Sequence, residues 1–260
     1  MRRTLVQHHF IERYTGPEFF RAFCFYIYSM ALPIFFMEQY DEGDFIMLNE
    51  DTSRHVVQVL RMKQGDLLQL TDGKGHLLTA AIADDHKKKC TVRIVDRSFK
   101  ERSERQVSIG ISLLKNAARF EWFLEKATEM GVFEIIPLRC DRTEKQHVRF
   151  ERMNNILIAA MLQSQQYWLP VLQEPVFCKE LIVSSACKIK LIAHCEAEQK
   201  QSIHDFQGTS PVQIIIGPEG DFTRHEIELA LAREYKAVTL GNTRLRTETA
   251  GVVAAALLCI

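Results

Sequence analysis

Two strand-to-helix turns in the last third of the chain carry residues that could hold a ligand and act on it. In the first, Ile214-Ile215-Ile216 runs into Gly217-Pro218-Glu219-Gly220-Asp221-Phe222 ahead of Thr223. Glycines at 217 and 220 let the main chain approach a ligand closely or turn through positive φ, and Thr223 with Glu226 fits a capping box that starts a helix. Taken alone, the pattern also serves a plain strand-to-helix turn. The second runs Val238-Thr239-Leu240-Gly241-Asn242-Thr243-Arg244-Leu245-Arg246-Thr247-Glu248-Thr249-Ala250-Gly251. It ends a strand at Leu240-Gly241 and enters a helix of Ala, Gly, Val and Leu, capped by Thr247 or Thr249. A helix with no polar face must be buried, so Arg246 and Glu248 stand at the mouth of a buried element, where unpaired charge is costly. A guanidinium and a carboxylate so placed form either a structural ion pair or a pair that steadies negative charge and moves a proton. A third buried strand, Leu191-Ile192-Ala193, runs into His194-Cys195-Glu196, a loop that is either structural or lines the same site.

The elements that must position these residues alternate along the second half of the chain. Strands are expected at Val107 to Leu113, Glu134 to Leu138, Ile189 to Ala193, Val212 to Ile216 and Ala237 to Leu240. Helices are expected at Arg119 to Met130, Phe150 to Gln166, Thr223 to Glu234, and from Thr247 onward. Such alternation predicts a mainly parallel sheet covered on both faces, with ligands at the carboxyl ends of its strands. In the helix from Arg119, Phe120, Phe123, Leu124 and Ala127 share one stripe and read as core, with Gly131 as the stop.

Ahead of this lies a shorter-period, β-rich stretch from Ile34 to about Phe99. Leu67 to Thr71 and His76 to Ala83 flank Asp72-Gly73-Lys74-Gly75 as a hairpin, Thr91 to Val95 reads as a further strand, and Ser53 to Arg61 as a short helix. Together they predict a small barrel with one helix laid across it. The charged run Ser98 to Arg105 suits a linker.

The 260 residues, 47% hydrophobic and 25% charged, suit two folded domains and exclude a disordered or collagenous chain. Lys plus Arg balance Asp plus Glu at 33 each, so any nucleic-acid partner must be held by a local basic surface. The seven cysteines show no metal-site spacing and read as reduced thiols of a cytoplasmic protein. The aromatic run from Phe19 to Tyr28 is too short to span a bilayer and is broken by Arg21. Residues 1–29 therefore read as an extension, Met30-Ala31-Leu32-Pro33 having the look of a beginning.

In order along the chain, Arg54 to Arg61, Asp72-Gly73-Lys74-Gly75, Phe120 to Gly131, Ile216 to Phe222 and Leu240 to Ala250 resemble the bacterial 16S ribosomal RNA uridine-N3 methyltransferases of the SPOUT superfamily. The resemblance covers roughly Leu32 to the C-terminus, and its last two motifs together are specific. It implies an α/β fold: a SPOUT-type trefoil-knotted parallel-sheet domain over residues 106–260, preceded by a small PUA-like β-barrel RNA-binding domain over 30–99. It implies a homodimer with the cofactor pocket beside the subunit interface, and 16S ribosomal RNA or the small ribosomal subunit as partner, with no membrane and no metal. Family members often carry an acidic residue in place of Ala118 and a second glycine in place of Asp221. The chain also stops at Cys259-Ile260, early for the family's final helix.

Under the resemblance the cofactor is S-adenosyl-L-methionine. It is clasped by His194, Ile216, Gly217, Pro218, Glu219, Gly220, Leu240, Gly241, Leu245, Arg246, Thr247, Thr249 and Ala250, with Gln163 a further candidate. Uracil N3 is a poor nucleophile until its proton leaves, and the charge then falls on the flanking carbonyl oxygens. Arg246, or Arg119 from a partner subunit, is expected to stabilise that charge. Glu248 assists proton removal or orients the arginine. Arg54, Arg61, Lys63 and Lys74 are candidate phosphate contacts, with the Lys87-Lys88-Lys89 run behind them. Two other readings stay open: a non-catalytic RNA-binding or assembly factor on the same fold, and a doubly wound nucleotide enzyme, against which the absence of GxGxxG and GxxxxGK[ST] at a strand-helix junction counts.

Overall fold

The sheet of the larger unit is built from short apolar runs too hydrophobic to face water on either side. The computed structural model describes residues 32–144, 148–196 and 199–260; the expectations for residues 1–29 fall outside them. Strands β1 (Ile34–Phe36), β2 (Phe45–Met47), β3 (Leu67–Thr71), β4 (His76–Asp84) and β5 (Thr91–Phe99) form one sheet in the order β1-β3-β4-β5-β2. Leu68 and Leu70, Leu78, Ala80 and Ile82, and Val92 and Ile94 are buried at alternate positions, the period-two pattern of strands with one packed face.

The helix expected at Ser53 to Arg61 differs from the reading. Helix α1 covers Glu50–Arg54, started by Asn49 Oδ1 accepting the Thr52 amide at 2.8 Å, and it widens into a π-helical turn over His55–Val59, where Leu60 N–H bonds His55 O at 2.9 Å. The chain leaves that turn through Arg61 at φ 57°.

Contacts divide the chain into two compact units. One contains Gly43–Leu70 and Leu78–Asp96 with the described residues 32–35; the other contains Phe36–Glu42, Thr71–Leu77 and the described residues from Arg97 to Ile260. Thr71–Leu77 groups with the larger unit because its backbone is hydrogen-bonded there: Gly75 N–H to Tyr167 O and Leu169 N–H to Gly73 O, each at 2.8 Å. The expected linker is also not a solvated run. Strand β5 continues through Phe99, Arg102 lies over the Phe133 and Trp168 rings at 4.0 and 4.7 Å, and Arg105 donates to the carbonyls of Phe206, Gly208 and Leu258. Guanidinium groups with that many donors fix a segment that charge count alone marks as loose.

In the larger unit, β6 (Val107–Ser112), β7 (Glu134–Arg139), β8 (Val171–Leu172), β9 (Val176–Phe177), β10 (Ile189–Ala193), β11 (Gln201–Ser202), β12 (Val212–Ile216) and β13 (Lys236–Thr239) make a sheet ordered β11-β13-β10-β12-β6-β7-β8, with β9 also on β7. The described pairings are parallel. Every residue of β12 is buried, as two-sided coverage requires. Ile214 and Ile216 join a core with α2 (Ala117–Glu129), α3 (Phe150–Gln163) and α6 (Thr247–Cys259), while Ile215 joins the opposite one with α4 (Cys178–Ser184) and α5 (Arg224–Ala232). Strands β8, β9 and β11 and helix α4 are too short to announce themselves by periodicity.

The stripe Phe120, Phe123, Leu124 and Ala127 is buried as expected. Helix α3 ends at Gln163 rather than Gln166: Gln165 takes φ 54°, and the Gln166 side-chain Nε2 turns back to donate to the Thr128 and Glu129 carbonyls at the end of α2. A Cβ added at Gly251 in α6 would stand 2.6 Å from the Phe123 ring and 2.8 Å from the Ile111 side chain, so the helix packs too closely there for any side chain. Among the described residues no helix is long and apolar enough to cross a membrane.

Candidate functional site

The adjacent strands β12, β10 and β13 end level with one another, with Ala193 paired to Ile216 on one side and to Val238 on the other. Their carboxyl ends release the three loops read from the sequence into the same place. Between the loops lies a cavity of about 660 Å³, within the roughly 300–1,000 Å³ range of small-molecule sites.

Of the residues expected there, His194, Ile216, Gly217, Pro218, Glu219, Leu240, Gly241, Leu245, Arg246, Thr247 and Ala250 line the cavity. Gly220 and Thr249 do not: the Gly220 carbonyl is turned to the Arg142 guanidinium at 2.7 Å, and Thr249 lies one helical step off the lining face. Gln163 is exposed at the end of α3 and also lies outside the lining. The sequence reading missed Lys200 and gave the Asp221 side chain no role, though both line it; Asn242, Thr243 and Arg244 of the expected second loop line it as well. Asp221 was visible only as a departure from the family pattern.

The loops are tied to one another. The Thr247 hydroxyl donates to Gly217 O at 3.0 Å, joining the turn after β12 to the start of α6. This corrects the capping expectation. The N-cap of α6 is Arg246, without a side-chain cap bond, and Thr247 is buried inside the helix with its hydroxyl committed across the cavity wall. Asp221 Oδ2 accepts the Cys195 amide at 2.8 Å, and Lys200 donates to His194 O. The glycines also behave differently from each other. Gly217 keeps ordinary φ and is needed for space, since a Cβ there would meet the Phe222 ring at 3.0 Å; positive φ in this turn falls on Asp221, at 61°. The capping box of Thr223 and Glu226 is present, and Glu226 also accepts the Asp141 amide at 3.0 Å.

The charged pair is not the one the sequence suggested. Glu248 is 6% exposed, and its Oε1 lies 3.6 Å from Arg119 Nε within the same chain. Arg246 is exposed on the cavity lining. Among the described residues, Glu248 Oε2 is buried with no hydrogen-bond partner. A carboxylate buried with one oxygen unsatisfied is destabilising where it stands, so packing alone does not account for it. Its place in the first turn of α6 complements the helix dipole.

The four expected phosphate contacts lie on or beside the first sheet but are not equivalent. Arg54 pairs with Glu50, and Lys63 lies 3.4 Å from Asp85. Arg61 and Lys74 are exposed, and Lys74 belongs to the segment held by the larger unit. In the Lys87–Lys89 run, Lys88 lies 3.4 Å from Glu50.

Among the described residues, Cys140, Cys178 and Glu226 bring ligand-type atoms within 4.8 Å of one another. The Glu226 oxygens are already engaged by Asp141, Thr223 and the cap, and the thiols belong to the apolar core under α5. The Cys178 thiol is pushed up by its hydrogen bond with Cys140 and by burial. The trio behaves as packing.

Comparison with known proteins agrees with this geometry. A family model described as an RNA methyltransferase domain matches residues 101–259, and one described as an RNA methyltransferase PUA domain matches 48–95. The ribosomal RNA small subunit methyltransferase E of Rickettsia conorii is 29% identical over 220 residues, 83% of this chain and 89% of the relative. The crystal structure of a probable rRNA-methyltransferase from Porphyromonas gingivalis is 34% identical with a TM-score of 0.82, covering 86% of this chain and 96% of that one. That of a ribosomal RNA small subunit methyltransferase E from Neisseria gonorrhoeae bound to S-adenosyl methionine is 27% identical with a TM-score of 0.78, covering 86% and 95%.

Proposed function

The chain belongs to the RNA methyltransferase family that includes ribosomal RNA small subunit methyltransferase E, and on that premise we propose that it methylates N3 of a uridine in 16S ribosomal RNA. It is an S-adenosylmethionine-dependent methyltransferase of small-subunit ribosomal RNA with a PUA-like domain. The finer reading adds the N3 position, a trefoil-knotted SPOUT domain over 106–260, an RNA-binding domain over 30–99, a homodimer, and work in the cytoplasm where ribosomal subunits are made.

The observation that carries the reading is the closure of three strand ends around one cavity, tied by Thr247 to Gly217; the buried Glu248 and its neighbour Arg119 are not among the lining residues, and Glu248 follows the lining residue Thr247 in α6. The residues suit the cofactor. Main chain and apolar side chains at Ile216, Gly217, Pro218, Leu240 and Leu245 admit a folded nucleoside. When bound, S-adenosylmethionine supplies a methyl group on a sulfonium sulfur, ready for in-line displacement.

The chain's own residues then have to hold the uracil and manage its proton. In this reading Glu248 receives the N3 proton, or orients Arg119, which lies 3.6 Å from it. Arg119 and the exposed Arg246 oppose the negative charge that spreads to the uracil oxygens. The target base must be unstacked to reach such a cavity, which is least costly in single-stranded or bulged RNA.

Incubating the purified protein with labelled S-adenosylmethionine and small subunits lacking the modification, then mapping the label, tests the reading. Label on N3 of one uridine is expected. Donor binding without transfer to any uridine N3 defeats the assignment of position, and absence of donor binding by calorimetry favours an RNA-binding factor instead. Sedimentation of the same protein at twice the chain mass is expected of the homodimer.

A further inference from the structure

The turn after β12 holds an aspartate whose side chain the sequence reading left without a role. Asp221 sits at φ 61°, a left-handed conformation that most L-residues avoid and that Gly, Asn and Asp tolerate. Its amide closes the turn on Pro218 O at 2.9 Å. Its carboxylate faces two ways: Oδ1 accepts the Phe222 amide at 2.9 Å, and Oδ2 accepts the Cys195 amide at 2.8 Å. One side chain therefore joins the loop after β10 to the turn after β12, and both loops line the cavity, as does Asp221 itself. The turn's other anchors come from elsewhere: Arg142 grips the Gly220 carbonyl, and Thr247 the Gly217 carbonyl.

We propose that Asp221 is a positioning residue for the methyl donor: its carboxylate fixes the spacing of two walls of the donor cavity by holding the Cys195 amide. The proposal rests on reading this cavity as the donor site. Hydrogen bonds from an amide to a carboxylate are among the stronger ones in proteins. Without this one the loop must be ordered at the moment of binding, so the loss falls on donor affinity and not on the chemical step.

Three variants separate the contributions. Asp221→Gly takes the left-handed backbone without strain but has no bridge, Asp221→Ala loses both, and Asp221→Asn keeps an oxygen that can accept the Cys195 amide on a side chain that tolerates the conformation. Gly and Ala forms are expected to raise KM and Kd for S-adenosylmethionine about 10-fold, with kcat at saturating donor within about twofold, while the Asn form stays within about threefold of the parent. In the donor-free protein the Cys195 amide is expected to exchange hydrogen faster in the Gly and Ala forms. A Gly form that binds donor as tightly as the parent, or an unchanged Cys195 amide, overturns the proposal, as does an Asn form as weak as the Ala form. If the parent itself binds no donor, the reading of the cavity fails, while exchange at Cys195 still decides whether the bridge exists.

Discussion

The carboxyl end of the large sheet and the cationic surface of the small unit are built on opposite principles. At the sheet end, residues far apart in sequence are tied: Thr247 to Gly217, Asp221 to Cys195, Arg142 to Gly220. On the small unit, solvent-exposed cations meet solvent-exposed carboxylates, as Arg54 meets Glu50, and Lys63 meets Asp85. The first arrangement fixes a cavity before anything enters it. The second leaves exposed ion pairs worth little to stability and partly neutralises the charge that a phosphate backbone would seek. A site for a small, shaped ligand is legible as rigidity, whereas a surface for a polyanion is legible only as charge left over.

The largest effect should come from the tied end. Glu248→Gln is expected to slow methyl transfer by about 10²–10⁴-fold while leaving donor affinity within a few-fold; an unchanged rate would make Glu248 a structural partner of Arg119. Thr247→Val removes the hydroxyl that holds Gly217 O, and donor affinity measured by calorimetry should fall about 5–10-fold, the worth of about 1 kcal/mol. Among the exposed cations, Arg61→Ala on the small unit and Lys74→Ala on the larger one should weaken RNA binding a few-fold and each lower the salt slope by about one, while Arg54→Ala and Lys63→Ala should change it less than about twofold because each removes a carboxylate's partner too. Equal losses at all four positions would erase the contrast.

The smallest effect concerns acid. Lys179 beside Asp141, and Arg152 beside Glu121, hold those carboxyls below their usual range. Both contributions are therefore present above about pH 4 and fade as pH falls through the lowered folded-state values. Both pairs are exposed, so a urea titration at pH 7 and pH 3 should show only a modest share of the acid loss removed by Asp141→Asn or Glu121→Gln, and that share should shrink in salt.

The strand ends and both turns were legible because apolar runs such as Val212–Ile216 and Ile189–Ala193 leave no alternative to a buried parallel sheet, and their limits match the structure. What was not legible is instructive in each case. Thr247 looked like a cap because Ser and Thr before apolar helices usually are, yet its hydroxyl points across to another loop, a long-range choice that local pattern cannot encode. Arg105 looked solvated because its neighbours are charged; its acceptors, Phe206 and Leu258 among them, lie more than a hundred residues away. The pairing of Glu248 with Arg119 depends on α2 packing against α6, which rests on Gly251 meeting Phe123. Helix α4 and strands β8, β9 and β11 are shorter than the window over which periodicity can be counted.

The exposure of Cys195 gives the cavity a built-in reporter. Cys90, Cys140 and Cys178 are buried, while Cys195 stands open on the cavity lining. A bulky alkylating reagent should mark it ahead of those three, and a ligand seated between the loops should shield it. Occupancy could thus be followed as a chemical footprint on one sulfur, without RNA and without turnover.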